Sequence, residues 1–206
     1  MKHSSNRILT THTGSLPRPP DPVGLLNDKE LGSPYDKAAL SQRVKRAISD
    51  IVDKQSAVAL DIINDGEHSK VNWMAYARAR LSGLEEIDSP VRFRGPTRDS
   101  IAFENAYEDM RVMFAARSGA IVAKRQVRPR AFVCSGPVKY IGQQELRTDI
   151  ENLKASLTTA NVEEAFMTAI SRSNLELYYE NRHYASDADK ISEMMLRLAR
   201  AMLRSV

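Results

Sequence analysis

The chain has 206 residues, of which 42% are hydrophobic and 27% charged, so it has the composition and length of one globular domain or a large fragment of one. Its formal charge is only +4, and apart from residues 124–130 the basic residues are scattered. Nucleic-acid-binding surfaces concentrate their Lys and Arg residues, so we expect no nucleic-acid partner. A single cysteine, no secretory signal and no run of about 20 apolar residues predict a cytoplasmic protein without a membrane span.

The first third of the chain predicts a strand, a loop, a helix and a second strand. Residues 8–12 are β-prone, and the four prolines between Gly14 and Pro22 favour a stiff loop. Residues 37–56 place apolar side chains at three- and four-residue spacing, which predicts an amphipathic helix. Residues 58–63 then form an apolar run typical of a buried parallel strand.

The middle of the chain predicts helices and short strands separated by loops. We predict helices at 71–86 and 101–117, a loop at 88–99 with a short strand at 91–94, and strands at 120–127 and 131–134.

The last third predicts mostly helix. Residues 143–157 form a charged helix, whereas 164–170 fit a strand or a helix. The chain after residue 174 is helix-rich, Ser186 with Asp189 resembles a capping box, and an apolar stripe runs through 191–202. Strands alternate with helices along the whole chain, which predicts an α/β fold built from βα units around a parallel sheet.

Three of the predicted strands end in polar or glycine-containing turns. These turns are "HTGS" at 12–15, "NDGEHSK" at 64–70 and "CSGP" at 134–137. In a parallel sheet all three turns lie on one face, where active-site groups gather at the carboxyl ends of the strands.

The segments "ILTTHTGSLPRP", "LDIINDGEHSK" and "FVCSGPVKYIG" resemble the cobalamin-independent methionine synthase family. The short, single-barrel, methionine synthase II-like members of the uroporphyrinogen decarboxylase/methionine synthase-like superfamily are the most similar. "AFMTAISRSNLELYYENRHY" also looks like a family segment, and the resemblance spans about residues 7–190. It implies a TIM (β/α)8-type barrel and methyl transfer, from a folate-type donor in the family, to a zinc-bound thiol such as homocysteine.

The resemblance implies a substrate cradle made of Gly14, Ser15 and Glu67, with His12 beside it. The family binds the substrate carboxylate at the turn matching Gly14-Ser15, and its amino group at the acid matching Glu67. The chemistry agrees, since glycine lets backbone N–H groups approach an anion and a carboxylate suits an ammonium group.

The family's zinc ligands, a His-x-Cys pair and a further cysteine, have no counterpart here. We count about four barrel strands where a full barrel has eight. We therefore expect residues 1–206 to form a single domain, the N-terminal half of such a barrel from a truncated or split gene. We expect an insertion at 88–127 between the second and third barrel strands, and little or no methyltransferase activity from the chain alone.

Other interpretations remain open. Taken alone, Gly14-Ser15 is a simple strand-exit turn, Glu67 a surface acid, and Cys134 a buried apolar side chain. We expect His68 and His183 to lie at the surface or behind the binding residues, and not to be ligands. The chain could instead be a non-catalytic assembly module, since a half-barrel exposes strand edges and apolar surface. We expect it to form a homo-oligomer or to pair with a second half-barrel. A further alternative is an alkyl transferase that acts on another thiol, such as coenzyme M.

Overall fold

The computed structural model describes residues 2–88, 98–117, 131–170 and 179–189. The chain divides into two compact units: a first unit of residues 1–71 and 144–169, and a second unit of residues 72–143 and 170–206. The single domain and the insertion at 88–127 stay predictions.

The described elements mix helices with short strands. In chain order they are α1 (Pro20–Glu30), α2 (Lys37–Ala57), β1 (Ile62–Ile63), α3 (Trp73–Arg78), β2 (Leu84–Ile87), α4 (Arg98–Ala102), α5 (Glu104–Arg117), β3 (Ala131–Cys134), α6 (Gln143–Ser156), β4 (Glu164–Ala165) and β5 (Tyr179–Asn181), with a 3-10 turn at Leu157–Thr159 after α6.

Helix α1 corrects the prediction of a loop at its N-terminal end. Pro20 and Pro22 both lie in its first turn, where backbone N–H groups have no intrahelical acceptor, so proline costs little there. Leu26 of this helix is buried in the core of the first unit.

Helix α2 supplies most of that core and confirms the predicted helix at 37–56. The Asp36 carboxylate caps its N-terminus by accepting a hydrogen bond from Ala39 N at 2.9 Å. Its apolar stripe is buried, with Ile48 and Val52 fully inaccessible. The buried core of the unit consists of Leu26, Leu40, Val44, Ile48, Val52, Ile63 and Leu153.

The strands of the first unit are parallel but short. β1 pairs with β4, and Thr11 forms a single parallel bridge to Ile62. The predicted strand at 58–63 is therefore reduced to its last two residues, because Val58 ends α2 in an exposed position and Ala59 has a positive φ. The ambiguous segment 164–170 contains the short strand β4.

The second unit contains a three-stranded sheet in the order β2-β3-β5. β3 confirms the predicted strand at 131–134. Its pairing with β5 is parallel, whereas its pairing with β2 is antiparallel, contrary to the expected all-parallel sheet. The helix predicted at 71–86 is wrong beyond Arg78, since β2 follows, and β5 replaces helix at 179–181.

The described strands form these two separate small sheets and no closed barrel, so the partial barrel stays a prediction. The helix predicted at 101–117 is observed, interrupted between α4 and α5. Ser186 Oγ accepts a hydrogen bond from Asp189 N, which confirms the cap. The strands predicted at 91–94 and 120–127, and the stripe at 191–202, lie outside the described residues. No helix in the described ranges is both long and apolar enough to cross a membrane.

Candidate functional site

The loop that follows β1 is fixed at its start by Asn64, whose side chain is fully buried. Its amide donates to the carbonyl oxygen of His12 at 2.6 Å, and its Oδ1 accepts from Gly66 N at 2.8 Å. Gln55 of α2 bonds to both backbone groups of Asn64. Buried polar groups need such partners, so this network ties the turn after residue 11 to the loop after β1.

Two consecutive residues of this loop have left-handed backbone geometry. Gly66 has φ +59°, which glycine adopts readily, but Glu67 has φ +60° as well. For a residue with a side chain, such a conformation costs about 1–3 kcal/mol and persists only when its surroundings hold it. Here Glu67 N donates to Asp65 Oδ1 at 3.1 Å, and Gly66 O accepts from Leu16 N at 3.1 Å.

The same loop contains a buried ion pair. Lys70 Nζ lies 3.1 Å from Asp65 Oδ2, and both side chains are 1% exposed. Sequence reasoning missed this pair, since neither residue stands out at a spacing of five residues outside a helix. Asp65 therefore bonds with one oxygen to Lys70 and with the other to the backbone of Glu67, which fixes the position of Glu67.

The Glu67 carboxylate lies in a polar cluster of Ser15, Arg18, Glu67 and Thr168, which we call the Glu67 cluster. Ser15 Oγ donates to Oε2 of Glu67, and Thr168 Oγ1 donates to Oε1 at 3.2 Å. The structure thus brings together two residues that the sequence singled out, Ser15 and Glu67. Glu67 is only 2% exposed and is not the surface acid that its sequence alone suggests. An ionised carboxylate has about four lone-pair sites, so Glu67 retains acceptor capacity beyond these two bonds.

Arg18, like Thr168, is a residue of this cluster that sequence reasoning missed. Its Nε donates to the backbone oxygen of Glu67 at 3.1 Å, and its Nη2 lies 3.4 Å from Ser15 Oγ. Burial lowers the pKa of Arg18, while the nearby charges of Glu67 and Asp65 act in the opposite direction. In the sequence, the prolines around Arg18 predict a stiff loop, and no local pattern indicates that this cation contacts Glu67.

Gly14 and His12 lie beside the cluster. Gly14 has φ +107°, and a Cβ placed on it would meet no atom within 4 Å, so the turn borders open space. His12 is joined to the loop through its carbonyl oxygen. Its Nε2 is buried and has no hydrogen-bond partner in the part of the chain that the structure describes.

His68 is buried, which excludes the surface position and leaves the second position that we expected, behind the binding residues. It is 2% exposed, and its Nδ1 lies 3.0 Å from the carbonyl oxygen of Ala47 in α2. Burial lowers the pKa of His68, and the charge of Arg18 lowers it further, whereas the contact with Ala47 opposes both. These effects together favour the neutral form of the ring. His183 is exposed, as predicted.

Within the described residues, the side chains that can bind a metal do not fit a zinc site. The chain's only cysteine, Cys134, belongs to the second unit, is fully buried and donates its thiol to the Gly136 carbonyl at 3.6 Å. All four histidines lie within the described ranges. Among those ranges no group of three His, Cys, Asp or Glu side chains is arranged to hold a metal ion. Zinc in a protein needs three or four such ligands.

Known structures share this fold. A B12-independent methionine synthase from Shewanella sp. W3-18-1, solved in complex with selenomethionine, matches 95% of this chain with a TM-score of 0.57 and 16% identity. A putative vitamin-B12 independent methionine synthase from Listeria monocytogenes matches 97% of the chain with a TM-score of 0.54, also at 16% identity. The chain spans about half the length of each, 48% and 49%. No protein-family model and no curated protein matches it.

These comparisons define the class of fold, which is that of the B12-independent methionine synthases. At 16% identity they extend to the fold and not to the activity.

Proposed function

We propose that this chain is a protein of methionine synthase type whose first unit binds a thiol-containing amino acid such as homocysteine. One observation carries the proposal: Ser15 and Glu67, 52 residues apart in sequence, are in direct hydrogen-bond contact. These two residues match the family positions that bind opposite ends of an amino-acid substrate. The shared fold and the selenomethionine bound to the Shewanella enzyme support the same interpretation.

The cradle holds a zwitterion at both ends. The Glu67 carboxylate accepts hydrogen bonds from the ligand's ammonium group, which gives a charge-assisted contact. The open turn at Gly14 presents backbone N–H groups to the carboxylate, because glycine has no side chain to block the approach. The low exposure of Glu67 strengthens these contacts, since the local dielectric is lower than that of water.

Ligand entry exchanges one hydrogen bond for two. Without a ligand, the Ser15 hydroxyl donates to Glu67. When the ammonium group takes its place at Oε2, the hydroxyl rotates and donates to the ligand carboxylate instead. Ser15 thus has a partner in both states, and no buried hydroxyl is left unpaired.

Methyl transfer requires the thiol as a thiolate, which zinc supplies in the family. Because the described residues do not fit a zinc site, we assign binding to this chain and no chemical step. Zinc-dependent methylation of homocysteine by the purified 206-residue chain would overturn this assignment. We propose that the groups which activate the thiol come from a separate half-barrel.

Calorimetric titration tests the proposed ligand. Homocysteine should bind more tightly than coenzyme M, which lacks an amino group for Glu67. Glu67→Gln keeps the shape of the side chain and removes its charge, so it should weaken homocysteine binding about 10- to 100-fold, the range for a hydrogen bond to a charged group. Glu151→Gln, at an exposed position on α6 in the same unit, is the matched control and should change nothing.

Equal affinity of wild type and Glu67→Gln for homocysteine would contradict the cradle. Tighter binding of coenzyme M would move the proposal to the alternative thiol acceptor.

A further inference from the structure

We infer that Arg18 is a further anion-binding residue of the cradle, and that its guanidinium group binds the ligand's carboxylate together with the turn at Gly14 and Ser15. This role rests on the proposed function and extends it. Arg18 would distinguish ligands that carry a carboxylate from ligands that do not.

The first feature that supports this role is the positive charge of Arg18. The side chain is partly buried, yet no Asp or Glu in the described ranges lies within ion-pair distance of its guanidinium nitrogens. Its contact with Glu67 is to the backbone oxygen and not to the carboxylate. Placing a cation partly out of water without a carboxylate in direct contact is costly, so such a position favours an anion.

The guanidinium group of Arg18 also has more hydrogen-bond donors than the described residues use. A guanidinium group has five N–H donors in a planar fork. Arg18 uses Nε on Glu67 O at 3.1 Å and Nη2, at a long 3.4 Å, on Ser15 Oγ. Nη1 has no protein acceptor among the described residues. The free edge of the fork suits the two oxygens of a carboxylate.

Ser15 lies between two opposite charges, those of Arg18 and Glu67. Ser15 Oγ lies next to Nη2 of Arg18 and donates to the carboxylate of Glu67. One hydroxyl therefore separates a cation from an anion. An α-amino acid carries its ammonium and carboxylate groups on a single carbon, so it presents the opposite charges at a similarly short separation. The ligand class that fits is an α-amino acid zwitterion, with its ammonium toward Glu67 and its carboxylate toward Arg18.

A purely structural role for Arg18 predicts different behaviour. If Arg18 only stabilises the loop around Glu67, replacing it weakens every ligand alike or lowers stability without any preference among ligands.

The experiment titrates three thiols into four proteins by calorimetry. Homocysteine has both charged groups, cysteamine has only the amine, and 3-mercaptopropionate has only the carboxylate. The proteins are wild type, Arg18→Gln, Arg18→Lys and Glu67→Gln. Arg18→Gln should weaken homocysteine and 3-mercaptopropionate at least 10-fold and leave cysteamine equal or tighter. Glu67→Gln should do the reverse, weakening homocysteine and cysteamine and leaving 3-mercaptopropionate equal or tighter.

Arg18→Lys keeps the charge without the fork, so it should fall between wild type and Arg18→Gln, and it serves if the Gln variant does not fold. Circular dichroism of each variant confirms folding. The wild type gives an independent readout: it should bind homocysteine more tightly than cysteamine.

The possible failures are distinguishable. If wild type does not bind homocysteine, the proposed function fails. If wild type binds homocysteine and Glu67→Gln weakens it, but the Arg18 variants lose all three thiols equally or none, only the role of Arg18 is overturned.

Discussion

Two glycine turns, one in each unit, differ in what surrounds them. A Cβ on Gly14, in the first unit, would meet no atom within 4 Å. A Cβ on Gly83, in the second unit, would lie 2.5 Å from the carbonyl oxygen of Gly136 and 2.7 Å from that of Pro137. Both have positive φ, so backbone geometry alone does not separate them. The turn at Gly83 is required by packing, whereas the turn at Gly14 is left open, as a binding site requires.

Buried polar side chains show the same contrast. Apart from Arg80, all the buried polar residues in the described ranges belong to the first unit. Arg80 stacks on the ring of Tyr76 at 3.5 Å, which is a packing contact. A protein keeps buried polar groups where they have a task that offsets their desolvation cost. Four of these buried residues, Asn64, Asp65, His68 and Lys70, lie on the same loop as Glu67, which is the loop of the proposed cradle.

The largest expected effect comes from the ion pair beneath Glu67. Lys70→Met leaves Asp65 as an uncompensated buried charge and should lower the free energy of unfolding by about 3–5 kcal/mol. Urea denaturation measures it. Lys45→Met, exposed on α2, is the control and should change the free energy by less than about 0.5 kcal/mol. A small effect of Lys70→Met would mean that this polar network does not hold the loop.

The two glycine turns should respond differently to the same substitution. Gly83→Ala adds strain at positive φ and a clash with backbone atoms, about 2–4 kcal/mol together. Gly14→Ala adds only the strain, about 1–3 kcal/mol. It should also weaken homocysteine binding, because the new methyl group occupies the open side of the turn. Thermal unfolding and calorimetry measure the two effects. If Gly83→Ala abolished homocysteine binding and Gly14→Ala did not, the assignment of the binding site to the turn at Gly14 would be contradicted.

The smallest expected effect is pH dependence within the first unit. The Arg7 guanidinium and the N–H of Thr10, 2.7 Å away, hold the pKa of Asp61 well below its usual range. A lowered folded-state pKa means that the stabilisation is present above the unfolded value of about 4 and is lost as pH falls. The stability difference between wild type and Asp61→Asn should therefore be largest above pH 5 and shrink toward pH 2.

Urea denaturation at several pH values measures that difference. Asp53→Asn, at an exposed position on α2, should show no such trend. A difference that stays constant with pH would contradict the role of Asp61.

The sequence was most informative where local pattern and tertiary packing agree. The apolar stripe of α2 and the short apolar strand β3 were predicted, because each buries the face that its pattern presents. Ser15 and Glu67 were found through motif resemblance, and the structure brings them into contact.

Other features depend on contacts that the local pattern does not contain. β2 has charged residues at Glu85 and Glu86, which suit a helix, but its backbone pairs with β3. α1 was missed because prolines that break a helix interior are tolerated in its first turn. The Asp65–Lys70 pair and the position of Arg18 arise from chain folding after β1, for which the sequence contains no periodic signal.

Anomalous diffraction at the selenium edge tests the central claim most directly. Crystals of the unlabelled protein grown with selenomethionine would locate the ligand by its selenium atom. We predict one strong selenium peak beside the open turn at Gly14, with the ligand's ammonium at Glu67 and its carboxylate at Arg18. A peak bound only to residues of the second unit, or no bound ligand at saturating concentration, would contradict the account.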